Sequence, residues 1–158
     1  MLDFRLRALL PDDAAAVAAL IRTAFAAQWV VTDPPPSALR ITEADVTNYV
    51  VAGGGTVAEV GRSLAGCVLW VPRNDGLHLS RLAVAPAWRG KGIAKALVRA
   101  AEDVARAAGL PRIRLSTRLI LLDNRQLFAA CGFVETTREA HPGYAEATFV
   151  NMEKPLAD

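Results

Sequence analysis

Cysteine is scarce in this chain of 158 residues, with Cys67 and Cys131 its only two. They lie far apart and make neither a disulfide framework nor a metal motif. They read as buried free thiols of a reducing compartment, and no metal site is expected. Long apolar runs are missing as well; none approaches the length that spans a membrane. The N-terminus, MLDFRLRALLPDD, carries an acid at position 3 and no long apolar core, so it does not read as a signal peptide. The expectation is a cytoplasmic protein with no membrane partner. Charge of one sign is also in short supply: the net charge is +2, although the pI is about 8.8. No Lys/Arg block of the kind that tracks a phosphate backbone is present, so nucleic acid is not an expected partner. The 18 basic residues, 15 of them arginine, are scattered. Most read as solvated surface, with a bias toward planar anion contacts.

What is there is apolar and ordered. A hydrophobic content of 53% against 22% charged residues is that of a compact soluble protein. The length suits one domain with a sizeable core. Phe4-Arg5-Leu6-Arg7 alternates like a first strand. Pro11-Asp12-Asp13 opens a helix through Ala27, with Asp12 or Asp13 placed to cap it and Ala16, Ala19, Leu20, Thr23 and Ala24 at helical spacing. An irregular stretch with three prolines follows. Thr42-x-x-Asp45 then resembles a capping box for a short second helix. Beyond Gly53-Gly54-Gly55, strands are expected at 56–60, 64–71 and 77–84, joined by tight turns as antiparallel neighbours. A helix to about Gly109, a strand at 112–116, a helix at 123–131 and strands at 133–138 and 147–152 complete the chain. The order β-α-α-β-β-β-α-β-α-β-β implies a mixed sheet with helices on both faces, an α/β architecture.

The most informative stretch is residues 82–94, LAVAPAWRGKGIA. Leu82-Ala83-Val84 ends a buried strand, Pro86 breaks it, and Arg89-Gly90-Lys91-Gly92-Ile93-Ala94 opens the long alanine-rich helix. A glycine-bearing turn at a helix N-terminus leaves several backbone N–H groups without intrahelical partners, all pointing one way. With the helix dipole and two cationic side chains added, such a turn suits a phosphate or pyrophosphate. A dinucleotide loop would follow the first strand of a βαβ unit with an acid about twenty residues on, and 110–116 (LPRIRLS) holds none. The nucleotide-triphosphate pattern G-x-x-x-x-G-K-[ST] is absent.

Arg89-x-x-Gly92-x-Ala94 resembles the Q/R-x-x-G-x-G/A pyrophosphate loop of the GNAT (Gcn5-related N-acetyltransferase) family, and the preceding Leu-x-Val-x-Pro matches that family's strand. Asn124-x-x-Leu127-Phe128-x-x-x-Gly132-Phe133 resembles its later motif. The resemblance implies a mostly antiparallel GNAT-like sheet and residues 1–158 as a single N-acetyltransferase domain. It implies acetyl-CoA as co-substrate and a small-molecule or peptide amine as acceptor. Backbone N–H groups from Gly90 through Lys91, Gly92 and Ile93 to Ala94 would hold the pyrophosphate, with Arg89 adding charge. Backbone near Leu82, Ala83 and Val84 would pair with the pantetheine arm where the strand splays from residues 112–117. Asn124 would hydrogen-bond the coenzyme, the other reading being a helix cap with Asp123. The resemblance also allows a homodimer formed through the last strands.

Acetylation of an alkylammonium requires removal of its proton, costing about 4 kcal/mol at neutral pH. His78 stands where the histone enzymes of the family carry a glutamate base and the arylalkylamine enzymes a histidine. An imidazole, with an ordinary pKa of about 6.5, suits proton transfer near neutrality. The other reading is a strand-end histidine beside the Gly76 turn. Ser80, two residues on, shares its side of the strand and is placed to hold a bridging water. Where the family often has a tyrosine acid, this chain has Phe128, which donates no proton. Tyr144 offers a nearby hydroxyl, and water serves equally. That departure keeps open a second class of function, a coenzyme A-binding sensor without catalysis. Acceptor recognition is expected from residues 28–40, the loop 141–144, and Glu59, Trp70 and His78. Trp29 and Tyr49 are candidate walls, and Glu59 or Asp33 candidate receivers of a cationic amine.

Overall fold

The structure is a computed structural model that describes residues 3–28 and 30–156. The strands are β1 (Arg5–Ala8), β2 (Gly54–Val60), β3 (Ser63–Arg73), β4 (Gly76–Val84), β5 (Arg112–Arg118), β6 (Val134–Glu139) and β7 (Phe149–Pro155). The helices are α1 (Ala14–Ala26), α2 (Glu43–Ala52), α3 (Ile93–Ala107) and α4 (Leu122–Ala130). The strands form one sheet in the order β1-β2-β3-β4-β5-β7-β6. Tight turns keep β2, β3 and β4 antiparallel, and only β4 and β5, joined through α3, run parallel among the described residues. The element order matches the one expected from the sequence.

Alternation along β3 divides the core between the two faces of the sheet. Val68 and Trp70 pack with α3 and α4, while Cys67 and Leu69 pack with α1 and α2. Burial pushes the Cys67 thiol up to about 12, so it stays protonated and behaves as a small apolar group. Cys131 is partly buried and also free.

Helix α3 buries Ile93, Leu97, Val98, Ala101 and Ala105, one stripe at helical spacing. It lies close against β3 at Gly66, where a Cβ would come within 3.1 Å of both Ile93 and Leu97. The helix stops at Gly109, with the Leu110 N–H bonded back to the Ala105 carbonyl at 3.0 Å and Pro111 beyond. Leu97 has no solvent exposure. Leu97→Ala should cost about 2–5 kcal/mol of stability, read as a lower denaturant midpoint with an unchanged slope.

Two local expectations are corrected. The buried face of α1 is Ala14, Val17, Ala18, Leu20, Ile21 and Ala24, whereas Ala16, Ala19 and Thr23 are exposed. An alanine-rich run fits several helical phases, and the larger Val17 and Ile21 decide which is buried. Neither Asp12 nor Asp13 caps α1 by its side chain. Asp13 instead accepts from the Leu10 N–H and from both Arg7 Nη groups, each at 2.8 Å, and Arg7 holds its carboxyl below the usual range. The capping box of α2 forms as expected, with Thr42 N–H donating to Asp45 at 2.9 Å and Asp45 N–H to Thr42 Oγ1 at 3.2 Å.

Candidate functional site

The site begins where the parallel pair comes apart. β4 and β5 are in register only at Leu77 with Ile113 and His78 with Arg114. From there β4 stays with β3 and β5 with β7, and the sheet opens. The gap holds two cavities of about 880 and 760 Å³ that share Phe25, Gln28, Leu82, Leu121 and Asn124, so they are two ends of one cleft.

A single residue sets how β4 presents itself to that cleft. Arg81 has φ +54°, a left-handed conformation uncommon for a non-glycine residue, and the β3–β4 register slips beside it. Strict alternation would keep all even-numbered side chains on one face. Instead Leu77 and Leu79 pack with α3 before the bulge, and Leu82 and Val84 do so after it. His78 and Ser80 therefore point to the opposite face from Leu82 and Val84.

The smaller cavity sits at the start of α3. Gly92 is the helix N-cap with φ 85°, and Gly90 has φ 74°. A Cβ on either would meet nothing within 4 Å, so the requirement for glycine is one of dihedral angle, not of space. The first bond of the helix ladder runs from the Ala96 N–H to the Gly92 carbonyl at 3.1 Å. The N–H groups of Ile93, Ala94 and Lys95 lie ahead of it and face outward at the positive end of the helix dipole. The Ile93 side chain is buried in the core, so only its backbone is on offer. Arg89 lines the cavity while donating to the Ala24 carbonyl at 2.7 Å, tying the last turn of α1 to the end of β4. Lys91 is exposed and does not line the cavity, whereas Lys95 does.

The larger cavity holds the titratable groups. His78 Nε2 lies 2.9 Å from Asp75 Oδ1, and the other Asp75 oxygen accepts from Arg114 Nη1 at 2.5 Å. Hydrogen bonds from His78 and then Arg114 hold the Asp75 carboxyl down at about 2, so it is ionised at any working pH. An ionised carboxylate only accepts, which places the Nε2 hydrogen toward Asp75 and leaves Nδ1 with the lone pair. Ser80 Oγ donates to Tyr49 Oη at 2.8 Å, so a hydroxyl pair borders the same cavity. Phe128 lines it with 7% of its surface exposed and packs edge-on against Phe133 at 5.9 Å. Asn124 sits in the first turn of α4, lines both ends of the cleft, and the helix has no side-chain cap.

Several expected members stand elsewhere. Tyr144 lines neither cavity; its hydroxyl donates to Asp33 at 2.6 Å, and that bond pushes the phenol up. Glu59 pairs with Arg5 at 2.9 Å and Arg7 at 3.0 Å at the β1–β2 edge of the sheet, away from the cleft. Trp70 is buried in the core. Trp29 lies outside the described residues. Asp75 and Arg114, by contrast, were not singled out from the sequence, and the i,i+3 spacing of Asp75 and His78 across a turn is the signal that points to the pair.

A splayed parallel pair beside a glycine-capped helix is the arrangement expected of a coenzyme A-dependent acyltransferase fold, and the family model for the acetyltransferase (GNAT) family matches residues 16–133. The chain belongs to the GNAT family. Among its relatives, N-acetyltransferase 8F1 of Rattus norvegicus is 38% identical over 106 residues, 62% of this chain and 48% of the relative. The chain thus spans about half the length of that relative. Among solved structures, Ard1 from Thermoplasma volcanium superposes with a TM-score of 0.81 at 17% identity, over 98% of this chain and 99% of that one. The Salmonella typhimurium protein yncA, determined with acetyl-CoA, gives 0.76 at 18% identity over 99% and 95% of the two chains. At these identities the likeness is one of fold. Among the described residues no helix is long and apolar enough to cross a membrane, and no cluster of metal-ligating side chains forms.

Proposed function

We propose that this protein transfers an acetyl group from acetyl-CoA to a primary amine. The observation that carries the reading is the continuity of the unpaired edge of β4 beyond His78 with the unpaired N–H groups at the start of α3. Acetyl-CoA supplies the acetyl group as a thioester, and the family and the bound coenzyme in yncA support its use here. Backbone from Leu82 through Ala83 to Val84 offers an added strand's hydrogen bonds to a pantetheine amide. The N–H groups from Gly90 to Ala94, with Arg89 and Lys95 beside them, suit a diphosphate, and Asn124 offers an amide midway along the cleft. Val30, Ile120 and Leu122, all exposed, give the same end an apolar rim.

At the other end His78 acts as the base. Its Nδ1 takes the ammonium proton, directly or through water held by Ser80 and Tyr49. The amine lone pair then attacks the thioester carbonyl carbon, the C–N bond forms and the C–S bond breaks. The electron pair goes to sulfur, which leaves as a thiolate. The nitrogen sheds its second proton as the amide forms, and a thiolate of ordinary pKa about 8.5 takes that proton up through water, so no tyrosine is needed. Phe128→Tyr should accordingly change kcat by less than about threefold (under about 0.7 kcal/mol). A larger gain would show that acid assistance is lacking.

Calorimetry with acetyl-CoA and thiol release over a panel of amines test the proposal. Because Phe128 replaces the usual tyrosine, a coenzyme A-binding module without turnover is the second reading. Tight binding with no thiol release from any acceptor would favour it.

A further inference from the structure

The larger cavity carries an excess of positive charge that the acetyl transfer itself does not call for. Its lining includes Arg73, Arg81, Arg114 and Arg118 against a single acid, Glu139. Glu139 is hydrogen-bonded to Asn151, and Arg114 has its counter-charge in Asp75. Arg81 and Arg118 instead donate to neutral acceptors. Arg81 Nη2 reaches Ser37 Oγ at 2.8 Å, and Arg118 Nη1 reaches the Pro34 carbonyl at 2.5 Å. Asp33 stands behind Arg118 and is bonded to Tyr144. A cation held by neutral groups keeps its attraction for an anion.

Buried hydrogen-bonding atoms nearly always find a partner, so the ones that do not are informative. Among the described residues two side-chain atoms are buried without a partner, Arg81 Nε and Thr32 Oγ1. Both residues line this same cavity, and Thr32 is only 6% exposed. Arg81 is also the residue held at φ +54°, and strain of that kind gathers where a ligand is gripped. The remaining walls include Phe25, Leu79, Leu115 and Phe149, which are apolar.

We infer that the acceptor amine carries a carboxylate, which Arg81 Nε and the Thr32 hydroxyl bind, with an apolar side chain packed against the neighbouring walls. The inference rests on the acetyltransferase reading for the ligand's role as acceptor. A guanidinium presents its N–H groups as a planar fork to a carboxylate, whereas an ammonium is a point charge. Segment 33–37 is tied down by Arg81, Arg118 and Tyr144 and borders this end of the cleft with Pro36 and Ser37.

The test is calorimetry on the full chain saturated with coenzyme A, using N-acetyl-L-phenylalanine and N-acetyl-L-leucine against their carboxamides. The acids should bind at least tenfold more tightly than the amides. Arg81→Gln and Thr32→Val should each reduce that preference, Arg81→Gln to near unity, with coenzyme A affinity unchanged. Arg81→Lys should restore only part of it. Equal affinity for acid and amide in the unaltered protein, or binding of neither, overturns the inference, as does an acid preference that survives both substitutions. Turnover separates the two readings. Release of thiol with phenethylamine but not with phenylalanine leaves the transferase standing and sinks the carboxylate. Acid-selective binding with no thiol release from any amine does the reverse.

Discussion

Gly92→Glu should raise the Kd for acetyl-CoA at least about a hundredfold, a loss of roughly 2.7 kcal/mol, without unfolding the protein. Two effects act in the same direction. A residue with a Cβ at φ 85° costs about 1–2 kcal/mol, because the left-handed region suits glycine. The new carboxylate would also stand at the positive end of α3, where it competes for the N–H groups ahead of the Ala96 bond and repels a diphosphate. The fold should survive, since nothing lies within 4 Å of a Cβ placed there. Gly92→Ala serves as the control. It carries the dihedral penalty without the charge and should weaken binding by less than about tenfold. Calorimetry alongside a thermal melt reads both. If Gly92→Glu left binding untouched, the placement of the diphosphate at this helix would be wrong.

His78→Gln should lower kcat about a hundred- to ten-thousandfold, the usual worth of a positioned base, while the affinity for acetyl-CoA stays as it was. Glutamine keeps a side chain able to donate to Asp75 but has no nitrogen that takes up a proton. Asp75→Asn should cost less, on the order of tenfold, because it removes one charge-assisted hydrogen bond and the fixed tautomer but leaves the imidazole in place. The pH profile separates these roles. The Asp75 carboxyl titrates near 2, so an activity that rises with pH above about 4 cannot reflect this carboxylate. Beyond the rise that the growing free-amine fraction gives every variant, the pH dependence of the unaltered protein should be kept by Asp75→Asn and changed in the residual activity of His78→Gln. A profile unchanged by His78→Gln would remove His78 from the chemistry.

The order of strands and helices could be read before any coordinates because each boundary carries its own chemical mark. Glycine turns separate β2, β3 and β4, Thr42 and Asp45 open α2, and Pro86 and Gly92 bracket the entry to α3. The glycine-capped end of the cleft was legible for the same reason: its shape is a backbone conformation, and glycine spacing in sequence reports backbone directly. The other end was legible only residue by residue: His78, Ser80, Tyr49 and the stretches 28–40 and 141–144 could be named, but not how they meet. Its members come from α2, β3, β4, β5 and the segment before α2, and no spacing rule links Tyr49 to Ser80 or Thr32 to Arg81. The bulge at Arg81 was equally hidden, since an arginine in a strand gives no sign of a left-handed φ. Tyr144 misled because a hydroxyl close in sequence to a motif need not be aimed at it, and here Asp33 claims it. Along α1, identical alanines left the phase of the helix open until the neighbouring valine and isoleucine found their pockets.

The sealed sulfur of Cys67 has a practical consequence. Colorimetric reagents that count newly liberated coenzyme A react only with thiolate, and a group with a pKa near 12 inside the sheet presents almost none. Background colour from the folded protein should therefore stay below one equivalent per chain, arising from Cys131 alone, and a second equivalent should appear only when denaturant is added.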